Sequence, residues 1–244
     1  MRTRKKPAEL RRHLYISATK VDDLAGQIPP SVWKRLEPSI GFNFILQGSV
    51  SLKANQSARG PVLGTIEEHL EKGGYIGTLE EPESVAYVRG SLKMRWGVWS
   101  GARVPLVWFI GADDTTLLAM GGRKRHLISV YEDEVGLGEG EKEAPSETAF
   151  AEGLAAHLRE SDDAGHLAES DDDSRESWIN DLLLLERHWP GEHEEQVDFI
   201  VEVERGPERV PGWGQSGADV KSVILGSPLW VARPLKSRKS SAGG

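Results

Sequence analysis

Apolar residues recur along this chain with two different periods, and the changes from one to the other lay out its elements. Between Gly90 and Val98, Leu92, Met94, Trp96 and Val98 alternate with Ser91, Lys93 and Arg95. A period of two marks a strand with one buried face. From Leu106 to Ile110 every position is apolar, the pattern of a fully buried strand. Asp113 and Asp114 turn the chain and Thr115 to Met120 returns, which predicts an antiparallel hairpin. Gly121 and Gly122 are expected to break the returning strand, with extended structure resuming over Leu127 to Tyr131.

The flanking segments add strands at either end and helices between. Leu14, Tyr15 and Ile16 read as an opening strand. A helix follows, capped by Thr19, with Val21, Leu24, Ala25 and Ile28 at helical spacing and Pro29 and Pro30 as its stop. Ser31 is expected to cap a second short helix through Leu36. The stretch from Phe42 to Leu52 alternates like a strand. Pro61 opens a helix whose apolar stripe is Val62, Leu63, Ile66 and Leu70 and whose stop is Gly73 and Gly74. Two more helices are predicted at 147–159, with Phe150, Leu154 and Leu158 aligned, and at 174–189. The second starts from a capping box of Asp173 and Glu176 and carries Trp178, Ile179, Leu182, Leu183 and Leu185. Val197 to Val203 suits a strand or a helix, and the acidic residues Glu192, Glu194 and Glu195 before it favour a helix N-terminus. Residues 220–232 read as closing strands.

Strands therefore gather at about 42–131 and 220–232, and helices at about 20–28, 61–72, 147–159 and 174–189. Such segregation predicts an α+β fold with a mostly antiparallel sheet. One domain over 14–232 is expected, with basic disordered tails at 1–13 and 233–244 and acidic mobile loops at 132–146 and 160–173.

Composition narrows the function classes. At 38% apolar and 28% charged residues over 244 positions, the chain has enough apolar side chains for a sizeable core. It has no cysteine, which removes disulfides, thiolate metal sites and cysteine nucleophiles. No run approaches the ~18 apolar residues of a membrane span, and the basic start lacks the apolar stretch of a signal peptide. A cytoplasmic location without a membrane partner is expected. The net charge of −8 is unevenly spread: residues 132–176 hold 16 Asp and Glu against 3 Lys and Arg, which leaves the rest of the chain at +5. Solvated tails and an acidic loop account for this. Basic residues do not interleave with aromatics as on a base-stacking surface, so nucleic acid is disfavoured as a partner.

The chemistry-bearing signals are few. Gly121, Gly122, Arg123, Lys124, Arg125 and His126 place accessible backbone N–H groups beside cations, a pattern that can hold a phosphate or carboxylate. It is not a phosphate-binding P-loop, because the glycine spacing and the following helix are missing. The plain reading is a tight turn with exposed basic residues. Arg89, Lys93 and Arg95 lie beside Trp96 and Trp99, as a solvated strand face or one wall of a basic and aromatic hollow. Asp113 and Asp114 suit a turn before they suit a metal. The histidines show no metal-binding spacing; His188 and His193 are separated by Trp189, Pro190 and Gly191. There is no Gly-x-Ser-x-Gly elbow, and no cofactor is expected.

Several segments together resemble an uncharacterised actinobacterial protein family. They are Leu14 to Asp22 with its Leu-Tyr-Ile-Ser-x-x-Lys-Val-Asp pattern, Gln27 to Pro29, Gly90 to Gly97, Gly121 to His126 and Leu225 to Ala232. The resemblance spans about residues 14–232 and brings no catalytic residues with it. It implies an accessory sensor or adaptor near bacterial conflict and signalling genes. The residues point the same way, to a module that binds an anionic ligand or a protein partner through Arg89, Arg95, Gly121, Gly122, Arg123, Arg125 and His126. Arginine's planar fork pairs with carboxylate or phosphate through two bonds at once. A second reading is a nucleotide- or phosphoester-processing enzyme, with Asp113 or Asp114 placing a metal and His126 as acid and base. A third is a protein–protein scaffold that exposes Val197 to Val203 or the leucine-rich helix.

Overall fold

The computed structural model describes residues 11–33, 56–82, 85–100, 105–128, 147–160, 177–210 and 221–235. In chain order they form β1 (Arg11–Ile16), α1 (Ala18–Gln27), α2 (Pro30–Trp33), α3 (Gln56–Lys72), β2 (Ile76–Thr78), β3 (Tyr87–Trp99), β4 (Leu106–Ala112), β5 (Thr116–Arg123), a 3-10 turn (Lys124–His126), α4 (Glu147–Glu160), α5 (Ser177–His188), β6 (His193–Val210) and β7 (Lys221–Pro234). The class is α+β, and the sheet is mostly antiparallel; only β2 with β3 and β5 with β7 run parallel.

The pairings close on themselves. β3 pairs with β4, β4 with β5, β5 with β7, β7 with β6, and β6 with β3 again. Closure leaves these five strands without a shared open edge, the condition that defines a barrel. β1 adds to the outer half of β7 and β2 to the start of β3. Inside the ring lie Val88, Leu92, Met94 and Trp96 of β3, Val107 and Phe109 of β4, Leu118 and Met120 of β5, Val197, Phe199 and Val201 of β6, and Ile224 and Val231 of β7. Each strand contributes alternate residues, as its period of two requires.

The other face of each strand is covered as well. α1, α2 and α3 pack Val21, Leu24, Trp33, Val62, Ile66 and Leu70 onto Tyr87, Ile200, Leu229 and Trp230. α4 and α5 pack Leu154, Trp178, Leu182 and Leu185 onto Leu106, Trp108, Ile110, Leu117 and Leu225. β4 is thus apolar on both faces because one meets the barrel interior and the other meets helices. None of the helices in the described residues is long and apolar enough to cross a membrane.

The structure departs from the sequence pattern at several places. Val197 to Val203 is strand, not the start of a helix: β6 hydrogen-bonds to β3 and β7 together, and two ladders outweigh a favourable helix-end charge. Gly121 and Gly122 do not interrupt β5; they pair with Trp108 and Val107. Gly122 is required because a Cβ there would run into the Tyr15 ring and hydroxyl. α3 begins at Gln56, so Pro61 sits inside it. The cost of ~3 kcal/mol for an interior proline is offset by four buried apolar side chains, Val62, Leu63, Ile66 and Leu70. α1 starts at Ala18 and is capped by Ser17, whose hydroxyl accepts from the Lys20 N–H, rather than by Thr19. α2 starts at Pro30, which puts Ser31 inside the helix, and proline at a first helical position loses no bond. β1 and β7 also take in residues 11–13 and 233–234, beyond the domain limits expected from the pattern. The extended stretch at 42–52, the Asp173 and Glu176 box, and the acidic segments 132–146 and 160–173, apart from Glu160, lie outside the described residues.

Candidate functional site

The predicted basic residues divide into three places. Arg89, on β3, forms ion pairs with Glu67 at 2.9 Å and with Glu71, both on α3. Glu67 also takes Arg11 of β1 at 3.3 Å, so one carboxylate links α3 to two strands. The Arg11 guanidinium lies over the Trp230 ring, 4.5 Å from its centroid, and adds a cation–π contact. Arg89 therefore anchors a helix to the barrel.

Arg95 lies six residues further along β3, about 20 Å at ~3.3 Å per residue. It faces the other helical layer, and its guanidinium donates to the carbonyl of Trp189 at 2.6 Å and to that of Glu186. The last carbonyls of a helix have no partner within it, and a cation there also meets the negative end of the helix dipole. Arg95→Ala is expected to lower the unfolding free energy by about 1.5–3 kcal/mol, the usual worth of bonds to a charged group. Arg95→Lys should recover only part of this, because an ammonium cannot span two carbonyls as a fork does. Urea denaturation of the three proteins measures it; an unchanged Arg95→Ala would show that the α5 end is held by other contacts.

Gly121, Gly122, Arg123, Arg125 and His126 stay together at the end of β5. Arg123 is the last strand residue, paired with Leu106, and Lys124 to His126 form the 3-10 turn. Four hydrogen bonds fix this turn. The Lys124 N–H donates to Pro105 at 3.0 Å, that of Leu127 to Lys124 at 2.9 Å, and that of Ile128 to Leu14 at 2.7 Å. The fourth runs from the Ala18 N–H at the start of α1 to Nδ1 of His126, at 3.2 Å. An accepting Nδ1 assigns the ring proton of a neutral His126 to Nε2. Tyr15 meets the same ring edge-on, with centroids 5.7 Å apart. Arg125 is exposed, and the other turn residues are half-buried.

Asp113 and Asp114 are at the opposite end of β5. Asp113 accepts from the Thr115 and Thr116 N–H groups, both at 2.8 Å, and so builds the hairpin turn. The eight residues of β5, which separate this turn from His126's turn, span about 24 Å from first to last at ~3.4 Å per step. The pair of aspartates and His126 do not share a pocket, which the enzyme reading requires. Among the described residues no group of three or more His, Asp or Glu is placed to hold a metal ion.

Two polar clusters were not singled out from the sequence. In the first, Tyr87 of β3, Glu202 of β6 and Ser227 of β7 are direct neighbours across three strands. Lys20 reaches down from α1 to the Glu202 carboxylate, to the Ser227 hydroxyl and, at 3.4 Å, to the Ser227 carbonyl. Burial, then the charges of Glu202 and Asp23, push the Tyr87 hydroxyl up to about 12. Lys20 and Ser227 belong to the segments Leu14 to Asp22 and Leu225 to Ala232, which the sequence made distinctive without showing that they touch. In the second, Glu195 of β6 accepts from Arg233 of β7 through both oxygens and from the Trp96 indole at 2.9 Å. The Arg233 hydrogen bond, ahead of the Trp96 one, holds its carboxyl below the ordinary glutamate range. The His193 ring lies tilted against Trp96 with centroids 4.3 Å apart. These groups close one end of the barrel with charges that are already paired.

The comparisons with known proteins supply a family without an activity. A family of unknown function, DUF7019, matches residues 11–234, from the first residue of β1 to the last of β7. Neither the curated proteins nor the solved structures contain a match.

Proposed function

The chain belongs to this family of unknown function, and from that premise we propose that it is a binding module which holds an anionic group at the turn from Arg123 to His126. One observation carries the reading. Three consecutive basic residues, Arg123, Lys124 and Arg125, stand on a turn locked by one internal hydrogen bond and by three that tie it to Pro105 just before β4, to β1 and to α1. A rigid scaffold that holds like charges together has paid their ordering cost before a ligand arrives, so an anion gains affinity there. Gly121 and Gly122 continue the strand into this turn, with the Tyr15 ring packed against Gly122. Arg89 and Arg95 act at a distance, as struts for α3 and α5. The sensor or adaptor role in bacterial conflict and signalling that the sequence resemblance implies would use occupancy of this turn as its signal.

Thermal unfolding with inorganic pyrophosphate, tripolyphosphate and hexaglutamate tests the proposal. A ligand that binds only the folded chain stabilises it by mass action, about 2.7 kcal/mol at one hundred times its dissociation constant. At least one of these anions should raise the midpoint, and Arg123→Glu with Arg125→Glu should remove the rise while the ligand-free midpoint stays near that of the parent. No rise with any of the three, or an equal rise in the double variant, overturns it.

A further inference from the structure

A hollow of about 230 Å³ opens at the other end of β5, between the hairpin turn, the loop after β2 and the adjoining ends of β6 and β7. It is lined by Leu79, Glu80, Thr115, Thr116, Arg209 and Ser222. Its rim is built, not incidental. The carboxylate of Asp113 holds the Thr115 and Thr116 N–H groups and the Thr115 hydroxyl, and the Ser222 N–H donates to the Thr115 carbonyl at 2.8 Å. Thr116, 1% exposed, lies beside Leu79, and its hydroxyl makes two long contacts, to the Leu79 carbonyl at 3.5 Å and to the Thr115 hydroxyl at 3.4 Å. Both are near the limit of hydrogen-bond length.

The lining includes one acidic and one basic residue: Glu80, whose carboxyl is held below the usual glutamate range by the Thr78 hydroxyl and then by a backbone bond, and Arg209. A simple anion or cation is attracted by one and repelled by the other, whereas a molecule that bears both charges satisfies both. The space falls short of the ~300 Å³ where drug-sized sites begin. That is the size of a small metabolite.

We infer that this hollow binds a small zwitterion of the α-amino-acid class, with its carboxylate toward Arg209, its ammonium toward Glu80, and the hydroxyls of Thr115, Thr116 and Ser222 around it. This site is independent of the basic turn, about 24 Å away at ~3.4 Å per strand residue. The ligand it takes would be a second input to the same module.

Amide chemical shifts of Thr115, Thr116 and Ser222 report on the site directly. The full-length protein is titrated with each of the common free amino acids, and with the N-acetyl and amide derivatives of any that act, which lack one charge each. At least one free amino acid should shift these amides saturably, and both derivatives should bind at least tenfold more weakly. Arg209→Gln should abolish the preference for the free acid over its amide, and Glu80→Gln the preference over the N-acetyl form. Glu80 is exposed, so its variant serves even if Arg209→Gln fails to fold. Arg123→Glu with Arg125→Glu should leave the amino-acid titration unchanged, which separates this site from the turn. No saturable shift with any amino acid, derivatives that bind as well as their parents, or unchanged preferences in the variants overturn the inference.

Discussion

Phe109→Ala is expected to cost about 3–5 kcal/mol of folding stability, the range for a large aromatic side chain removed from a closed core. Phe109 is fully buried in the barrel. It sits in register with Trp96 on β3 and Met120 on β5, so three interior side chains form one row. Its ring stacks on Trp96 with centroids 5.8 Å apart and meets Tyr15 edge-on at 6.2 Å. A ring of hydrogen-bonded strands cannot shrink around the missing side chain without breaking a ladder, so the cavity stays open. Whole domains are stable by only about 5–15 kcal/mol. At about 2–4 °C per kcal/mol for a chain of this size, the thermal midpoint should fall by roughly 6–20 °C. Phe109→Leu should lose much less. A drop of under 2 °C in the alanine variant would mean that the ring of strands is not the rigid unit described above.

The second large effect comes from adding a single methyl group. Gly226 lies in β7 between β5 and β6, opposite Met120 and Val203. A Cβ at this position would run into the carbonyl oxygen of Glu202 and stand 2.7 Å from a methyl of Val201. The obstacle is backbone, so relief requires β6 and β7 to move apart at the seam that closes the barrel. Gly226→Ala should therefore cost about 1–3 kcal/mol or more, as overpacking does. It should also loosen Lys20 from Ser227, the next residue. Gly64→Ala makes the same chemical change in the exposed face of α3, where nothing lies within 4 Å of the new atom. There it should stabilise by about 0.4–1 kcal/mol, through lower entropy of the unfolded chain. Paired thermal denaturation of the two variants gives opposite signs if the barrel closes as described; equal shifts would refute the crowding argument.

Much of the fold was legible in the chain before its tertiary structure. The alternation at Leu92, Met94 and Trp96, the unbroken run of β4 and the stripes of α3 and α5 each follow from local geometry, because a side chain's face is set by its position in a repeat. Those signals were sufficient for an α+β class with a mostly antiparallel sheet. The basic stretch from Gly121 to His126 was legible for the same reason, since neighbours in sequence stay neighbours in a turn.

What the chain could not disclose depends on partners far away in sequence. β6 reads ambiguously because one of its two ladders comes from β3, which pairs Tyr87 with Glu202 and lies far back in the chain. The roles of Arg89 and Arg95 were undecided until the fold set Glu67 and Glu71 opposite one and the end of α5 opposite the other. A guanidinium has no intrinsic assignment to ligand, helix end or carboxylate; whichever acceptor the fold brings within reach takes it. Sequence determined which residues face inward and which turn is basic. Tertiary structure alone decided that the strands close into a ring, that Lys20 meets Ser227, and that Glu80 and Arg209 line one hollow beyond the hairpin, because each needs segments brought together across roughly a hundred residues or more.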